Sequence, residues 1–448
     1  MTQADGSIDT KFLSQWGAVR LSALDNGIVL ARSAELSANR ATPAYVYEQD
    51  RVLVRDEDAA DLLGRHLDGE PVPGRGVPGV GLYEIGERVP DAVARLNRIP
   101  SLKTDVATPN HLMSICPVQL CPADEPAPLA VTGSQEPFPA RRYGTGGQGV
   151  AVDVLDTGLV DDFDIGHDWL TGITESQPCT PFGATGAIRE YAGHGTFVTG
   201  VLRCAAPATT VRSMNAFRYA GATTEDQLAN ALLAALARKP HIISLSAGGS
   251  TLGGRPHAAL EPFFARLQET RTLLVAAAGN EGGTDRFYPA AYAAAGTGAV
   301  VSVGALRYDR RGRACFSNFG DWVDVYALGE RHVNAFMSGG YAYVDPQRED
   351  LTCRFHGGER LYAACTCVTM PPQGAVVAFR RMARWSGTSF ATPLVAGLIA
   401  THMSDTGEMD AREAARQLRT TTRSITDTDG ELLDALDHEP LLDWDPHL

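Results

Sequence analysis

A hydroxyl, an imidazole and a carboxylate suffice to cleave an acyl bond once a fold brings them together. This chain carries one of each in small-residue surroundings. They are Asp156 in Asp156-Thr157-Gly158, His194 in His194-Gly195-Thr196, and Ser389 in Gly387-Thr388-Ser389-Phe390-Ala391-Thr392-Pro393. A serine hydroxyl is a weak nucleophile at neutral pH. An imidazole must take its proton, and a carboxylate must hold that imidazole in one tautomer and offset the charge that forms. Taken singly, each has an ordinary explanation, since a serine ahead of a helix is usually a cap. The other ten histidines have no comparable context.

These groups need a rigid frame. Residues 150–155 form an apolar run ending at Asp156, 211–217 a second, and 242–245, 273–277 and 300–303 are further short runs of the kind buried on both faces. Helical patterns fall between them. Residues 196–204 are one, and 225–238 place Leu228, Leu232, Ala235 and Leu236 on one face. Strand–helix alternation with near-continuous apolar strands predicts an α/β fold with a doubly wound parallel sheet. Such sheets bind ligands beyond the carboxyl ends of their strands, where Asp156 and the loop after Ala277 would lie. Asp153 faces the other side of its strand and is expected to be structural. Asp161, Asp162 and Asp164 are expected to form a solvated turn.

The order Asp, His, Ser and the residues around each resemble the subtilisin-like serine peptidases, over about residues 149–420. The resemblance implies that Asp156, His194 and Ser389 form the triad. It also implies that Asn280, in Ala278-Gly279-Asn280-Glu281-Gly282, donates its amide to the developing oxyanion beside the Ser389 N–H. Ser246-Ala247-Gly248 matches the strand that pairs with the substrate backbone. Tyr288-Pro289-Ala290 lies near the pocket for the residue before the cut, which Phe287 is expected to narrow toward small side chains. The implied fold is subtilisin-like, and the implied activity is hydrolysis of peptide bonds through an acyl-enzyme on Ser389. A peptide-binding module or pseudo-enzyme using the same cleft is the alternative, although a pure binder has no need of all four groups. No cofactor is expected. No metal is expected either, because the chain passes from the His194 helix through Arg203-Cys204-Ala205-Ala206-Pro207 without the Asn-rich calcium loop of secreted relatives.

Residues 1–115 alternate differently. Strands are expected at 50–55, 79–87 and 102–107, with helices from Asp56 to about 67 and over 91–98. This α+β region resembles the inhibitory propeptide of subtilisin-like enzymes, and an unrelated appendage fits the pattern equally. A Pro-rich linker follows over 116–145, then the catalytic domain over 146–425 and an acidic tail over 426–448. Asn280 and Ser389 stand 109 residues apart, and a surface insertion of hairpin type is expected at about 332–380. Its Cys353, His356, Cys365 and Cys367 are spaced unlike a standard zinc site, so thiols are the simpler expectation. Cys116 and Cys121 could close a small loop in an oxidising compartment.

A net charge of -14 and a pI near 5.3 argue against nucleic acid or an anionic membrane as partner. Peptide or protein substrates remain, with the N-terminal region as an intramolecular inhibitor. Residues 1–26 lack the apolar core of a secretory leader, and no run approaches the length of a membrane helix, so a cytoplasmic protein is expected.

Overall fold

Alternate residues of each central strand enter opposite cores, which is what sandwiches this sheet between helices. The computed structural model describes residues 10–37, 42–57, 62, 65–99, 105–115, 125–129, 139–175, 178–180, 182–183, 186–189, 191–343, 374–428 and 430–436. The cysteines expected as thiols, with a disulfide loop or a zinc site weighed as alternatives (Cys116, Cys121, Cys353, Cys365, Cys367, with His356), lie outside them. So do most of the Pro-rich linker and most of the helix expected after Asp56.

The main sheet contains β6 (Ala151–Asp156), β7 (Thr174–Glu175), β8 (Thr210–Asn215), β10 (Ile242–Leu245), β11 (Leu273–Ala277), β12 (Val300–Leu306), β13 (Val325–Leu328), β16 (Arg423–Thr426) and β17 (Leu432–Ala435). Their order is β16-β17-β13-β12-β11-β10-β6-β8-β7, parallel throughout except for β16. Strand β6 has β8 on one side and β10 on the other, so the winding reverses at β6 and opens a crevice at Asp156. Leu273 and Val275 of β11 join one core with α3 (His194–Ala205) and α6 (Thr388–Thr406). Leu274 and Ala276 join the other with α4 (Glu225–Ala237) and α5 (Glu261–Gln268). The expected α/β, doubly wound parallel sheet of subtilisin type is the fold observed.

The N-terminal residues build a second sheet of order β3-β4-β2-β5-β9, with β1 (Leu30–Arg32) also on β2 (Val46–Arg55). Here β3 is Gly69–Pro71, β4 Val80–Ile85, β5 Ala107–Ser114 and β9 Ala222–Thr224. Helix α1 (Thr10–Leu24) precedes this sheet, and α2 (Val89–Leu96) covers it with Val89, Ala92, Val93 and Leu96. Two sequence expectations change here. The last strand does not end at 107 but begins there, and Thr108-Pro109-Asn110-His111 lies inside it. A proline is admitted because the β2–β5 register shifts between Tyr47 and Val52, which relieves the ladder beside Pro109. The sheet also takes its last strand, β9, from far along the chain.

The insertion is a ribbon of β14 (His332–Ala342) and β15 (Val376–Trp385), antiparallel with a bulge between Ala335 and Ser338. The segment expected as a tail departs from that reading. Residues Leu432–Ala435 bury Leu433 and Ala435, leave Leu432 and Asp434 exposed, and add β17 to the main sheet. Asp427 fastens this hairpin. Its Oδ2 accepts from Arg313 Nε at 3.1 Å with both side chains buried, and the Arg313 guanidinium lies 3.9 Å over the Phe319 ring. Asp427→Ala would remove the carboxylate partner of a buried guanidinium, which keeps its bond to the Ser317 carbonyl. Thermal or urea unfolding should show a loss of about 3–5 kcal/mol.

Candidate active site

Strand β6 delivers Asp156 at its carboxyl end, and α3 begins at His194. Between them Gly195 is indispensable for close approach, because a Cβ there would sit 2.3 Å from the Gly158 carbonyl oxygen. With the helix so close, His194 Nδ1 donates to Asp156 Oδ1 at 2.8 Å, and the same oxygen accepts the Thr157 N–H at 2.8 Å. Both side chains are fully buried. The Trp385 ring stands edge-on to the imidazole at 5.2 Å and Phe390 lies at 5.3 Å. The carboxylate thus fixes the tautomer with the proton on Nδ1, leaving the lone pair on Nε2. That Nε2 has no hydrogen-bond partner among the described residues.

Ser389 occupies the first turn of α6, where the positive end of the helix faces the site. Pro393 falls in the second turn, and its missing N–H would have bonded the Ser389 carbonyl. Ser246 Oγ supplies that bond instead at 2.7 Å. The strand reading of Ser246-Ala247-Gly248 therefore gains a second component, since Ser246 also sets the nucleophile's backbone. Asn280 Oδ1 accepts from the Thr388 N–H and hydroxyl, each at 2.9 Å, which turns its Nδ2 away from the helix residue just before Ser389. Phe287 packs on Gly248, where any Cβ would meet its ring at 2.3 Å. It is itself buried and belongs to the core beneath the cleft.

The Ser389 hydroxyl does not bond His194. It donates to the Ile115 carbonyl at 3.1 Å, with the Ser246 carbonyl at 3.3 Å. Ile115 continues β5, whose end is held on two sides like an inserted strand. Ser114 and Gly248 exchange N–H···O bonds at 2.9 and 3.0 Å, Ile115 N–H reaches the Gly221 carbonyl at 3.0 Å, and Leu112 to Ser114 pair with β9. Downstream, Ala127 and Arg384 of β15 exchange bonds at 2.7 and 2.8 Å, and Tyr343 Oη donates to the Pro126 carbonyl at 2.6 Å.

Three features escaped the sequence reading. The aromatic wall joins the motif residue Phe390 to Trp385, which belongs to no motif. The contact of Ile115 with Ser389 joins residues 274 apart. A buried cluster of His111, Glu225 and His257 lies where β5 meets α4. Among the described residues Cys179 and Cys204 are free thiols. Burial pushes Cys179 up to about 11 and Cys204 up to about 12, so neither offers a thiolate nucleophile near neutral pH.

The model of the Subtilase family matches residues 147–437. An intracellular serine protease of Paenibacillus polymyxa is 32% identical over 218 residues, which are 44% of this chain and 62% of that protein. Subtilisin Savinase of Lederbergia lenta is 28% identical over 227 residues, 49% of this chain and 77% of that one. The chain thus spans about three-fifths of the Paenibacillus protein. Among solved structures, fervidolysin of Fervidobacterium pennivorans, a keratinolytic enzyme related to subtilisin, superposes with a TM-score of 0.56 at 18% identity. The superposition covers 89% of this chain and 61% of fervidolysin, and it shows a shared fold. No helix among the described residues is long and apolar enough to cross a membrane.

Proposed function

Because this chain belongs to the subtilase family, we propose that it is a serine endopeptidase held latent by its own N-terminal region. The observation that carries the reading is strand β5. It lies in the crevice paired to Gly248 on one side and β9 on the other, and its continuation presents a carbonyl to Ser389 Oγ at 3.1 Å. Extended peptides added to a sheet edge are recognised chiefly through their backbone, so peptide and protein substrates would take the same place.

In the reaction, Ser389 Oγ turns to His194 Nε2, gives it a proton and attacks the carbonyl carbon. Asn280 Nδ2 and the Ser389 N–H stabilise the oxyanion. The tetrahedral intermediate then collapses, the amine leaves with the proton from His194, and water repeats the sequence to free the acyl group. The nearby Asp156 carboxylate offsets the imidazolium.

Residues 1–115 are assigned to the inhibitory region and 146 onward to the catalytic one. Chain on both sides of residues 116–124 is anchored, by β5 upstream and by the Ala127–Arg384 pairing downstream. Self-processing is therefore placed between Ile115 and Glu125, with the downstream end staying pinned to β15. The name of the Paenibacillus relative favours action inside the cell.

The test is intact-mass analysis of freshly purified protein alongside fluorophosphonate labelling. A wild-type chain that labels and splits between residues 115 and 125, with Ser389→Ala doing neither, is the expected result. Labelling without splitting leaves the peptidase but removes the self-processing. Absence of labelling, even after a second protease has trimmed the N-terminal region, favours a peptide-binding module.

A further inference from the structure

We propose that Glu225, His257 and the Leu252 amide form a distal subsite of the cleft. It would read a neutral histidine four residues before the one whose carbonyl meets Ser389, His111 being the built-in occupant. The proposal rests on the reading of β5 as a strand in the substrate position.

The β5–β9 ladder ends at Leu112 opposite Thr224. One step further along each chain stand His111 and Glu225, both fully buried. His111 Nδ1 lies 2.7 Å from Glu225 Oε2, and its Nε2 accepts the Leu252 N–H at 3.1 Å. The second bond fixes the tautomer. With Nε2 accepting, the proton resides on Nδ1 and is donated to the carboxylate.

The protease side is braced by contacts of its own. Glu225 Oε1 is taken by the Ala259 N–H at 2.8 Å, leaving Oε2 for the imidazole. His257 stands edge-on to His111 at 5.2 Å, and its Nδ1 approaches the same Oε2 at 2.7 Å. Neither ring nitrogen of His257 has an aligned hydrogen bond among the described residues, although the ring is wholly buried. An acceptor facing one way and a donor facing the other, on a fixed and dry wall, match neutral histidine. They reject an ammonium, whose protons would face the Leu252 N–H, and a phenyl ring, which leaves that N–H unmet.

The three side chains also have the types of a metal site, yet the spacing speaks against one. Zinc with nitrogen and oxygen ligands at about 2.0–2.1 Å would spread them to roughly 3.3 Å. Here both imidazoles lie 2.7 Å from one carboxylate oxygen, and a proton sits where the ion would bind.

Burial holds the His111 imidazole below its usual range despite the neighbouring Glu225, which itself stays ionised. The other groups facing it are Tyr45, edge-on at 5.7 Å, and His257. Behind His257 lies Tyr288 at 6.0 Å, with Tyr292, whose hydroxyl donates to the His257 carbonyl. A histidine whose bound pKa is depressed binds best above its free value, about 6.5, and loses affinity as the pH falls through it.

The experiment uses the full-length protein and fluorogenic peptides reproducing residues 107–120, unaltered or with His111→Ala, His111→Phe or His111→Lys. The readout is the ratio of kcat/KM values, so that protonation of His194 cancels. The histidine peptide should be favoured roughly 10–100-fold at pH 8. That ratio should shrink toward one by pH 5.5 and fall in Glu225→Gln. Equal kcat/KM for the histidine and alanine peptides overturns the subsite and leaves the peptidase standing. No turnover of any peptide together with no fluorophosphonate labelling, even after a second protease has trimmed the N-terminal region, overturns the peptidase reading and the subsite with it. Should Glu225→Gln fail to fold, the peptide series on the unaltered protein decides alone.

Discussion

Replacing Asp156 with asparagine lowers kcat by about 10⁴-fold while the protein still folds. The reason lies in the single bond from His194 Nδ1 to Asp156 Oδ1. An asparagine can present its amide N–H there, which favours the imidazole tautomer with the proton on Nε2. That tautomer cannot accept the Ser389 proton. The same oxygen also accepts the Thr157 N–H, so the carboxylate is oriented before any substrate arrives. Steady-state kinetics on a short peptide, with near-ultraviolet circular dichroism to confirm folding, checks the prediction. A fall of less than tenfold would mean that His194 is not the base. The substitution should also preserve the latent arrangement, because Ile115 and β5 touch neither Asp156 nor His194 through a hydrogen bond among the described residues.

The motif residues were legible because each combines a chemical group with a steric demand that few other residues meet. Gly195 is readable as a close approach, and Asp156 as the end of a buried strand. The strand–helix alternation carried the main sheet for the same physical reason, since strands buried on both faces must be apolar at every position. What escaped was non-local. Proline in Thr108-Pro109-Asn110-His111 argues locally against a strand, and only a register shift on a distant neighbour admits it. The short β9 has no periodicity of its own and is recruited by β5. Leu432 to Ala435 sits in an acidic stretch, and four residues are too few to outweigh that composition. His111, Glu225 and His257 are 114 and 32 residues apart in successive pairs, so nothing in sequence spacing unites them. Their meeting is a property of the docked strand.

That docking also explains the state of the nucleophile. Ser389 Oγ has two carbonyl acceptors within 3.3 Å, while the buried His194 Nε2 has no hydrogen-bond partner among the described residues. The Asp156–His194 pair is already assembled while β5 occupies the crevice.

Asn280→Ala is the second substitution with a large expected effect, and its signature differs from the first. Thr388 holds Asn280 Oδ1 through two bonds of 2.9 Å, which fixes the plane of the amide and aims Nδ2 at the opposite side. A donor so fixed costs no reorganisation when the oxyanion forms, and it gives little to a ground-state carbonyl that lies elsewhere. The alanine variant should therefore lose about 10²–10³ in kcat with KM nearly unchanged, a magnitude carried over from subtilisin rather than derived from this geometry. Fluorophosphonate labelling should slow as well, since that reaction also builds charge on an oxygen. Deleting the side chain leaves the Thr388 N–H and hydroxyl without their buried acceptor, so part of the loss could come from a shifted helix start rather than the lost donor. Thr388→Val separates the two effects. It removes one of the bonds to Oδ1 but keeps the amide, and should cost far less than Asn280→Ala if transition-state donation dominates. Equal losses in the two variants would instead make Asn280 a brace for the start of α6.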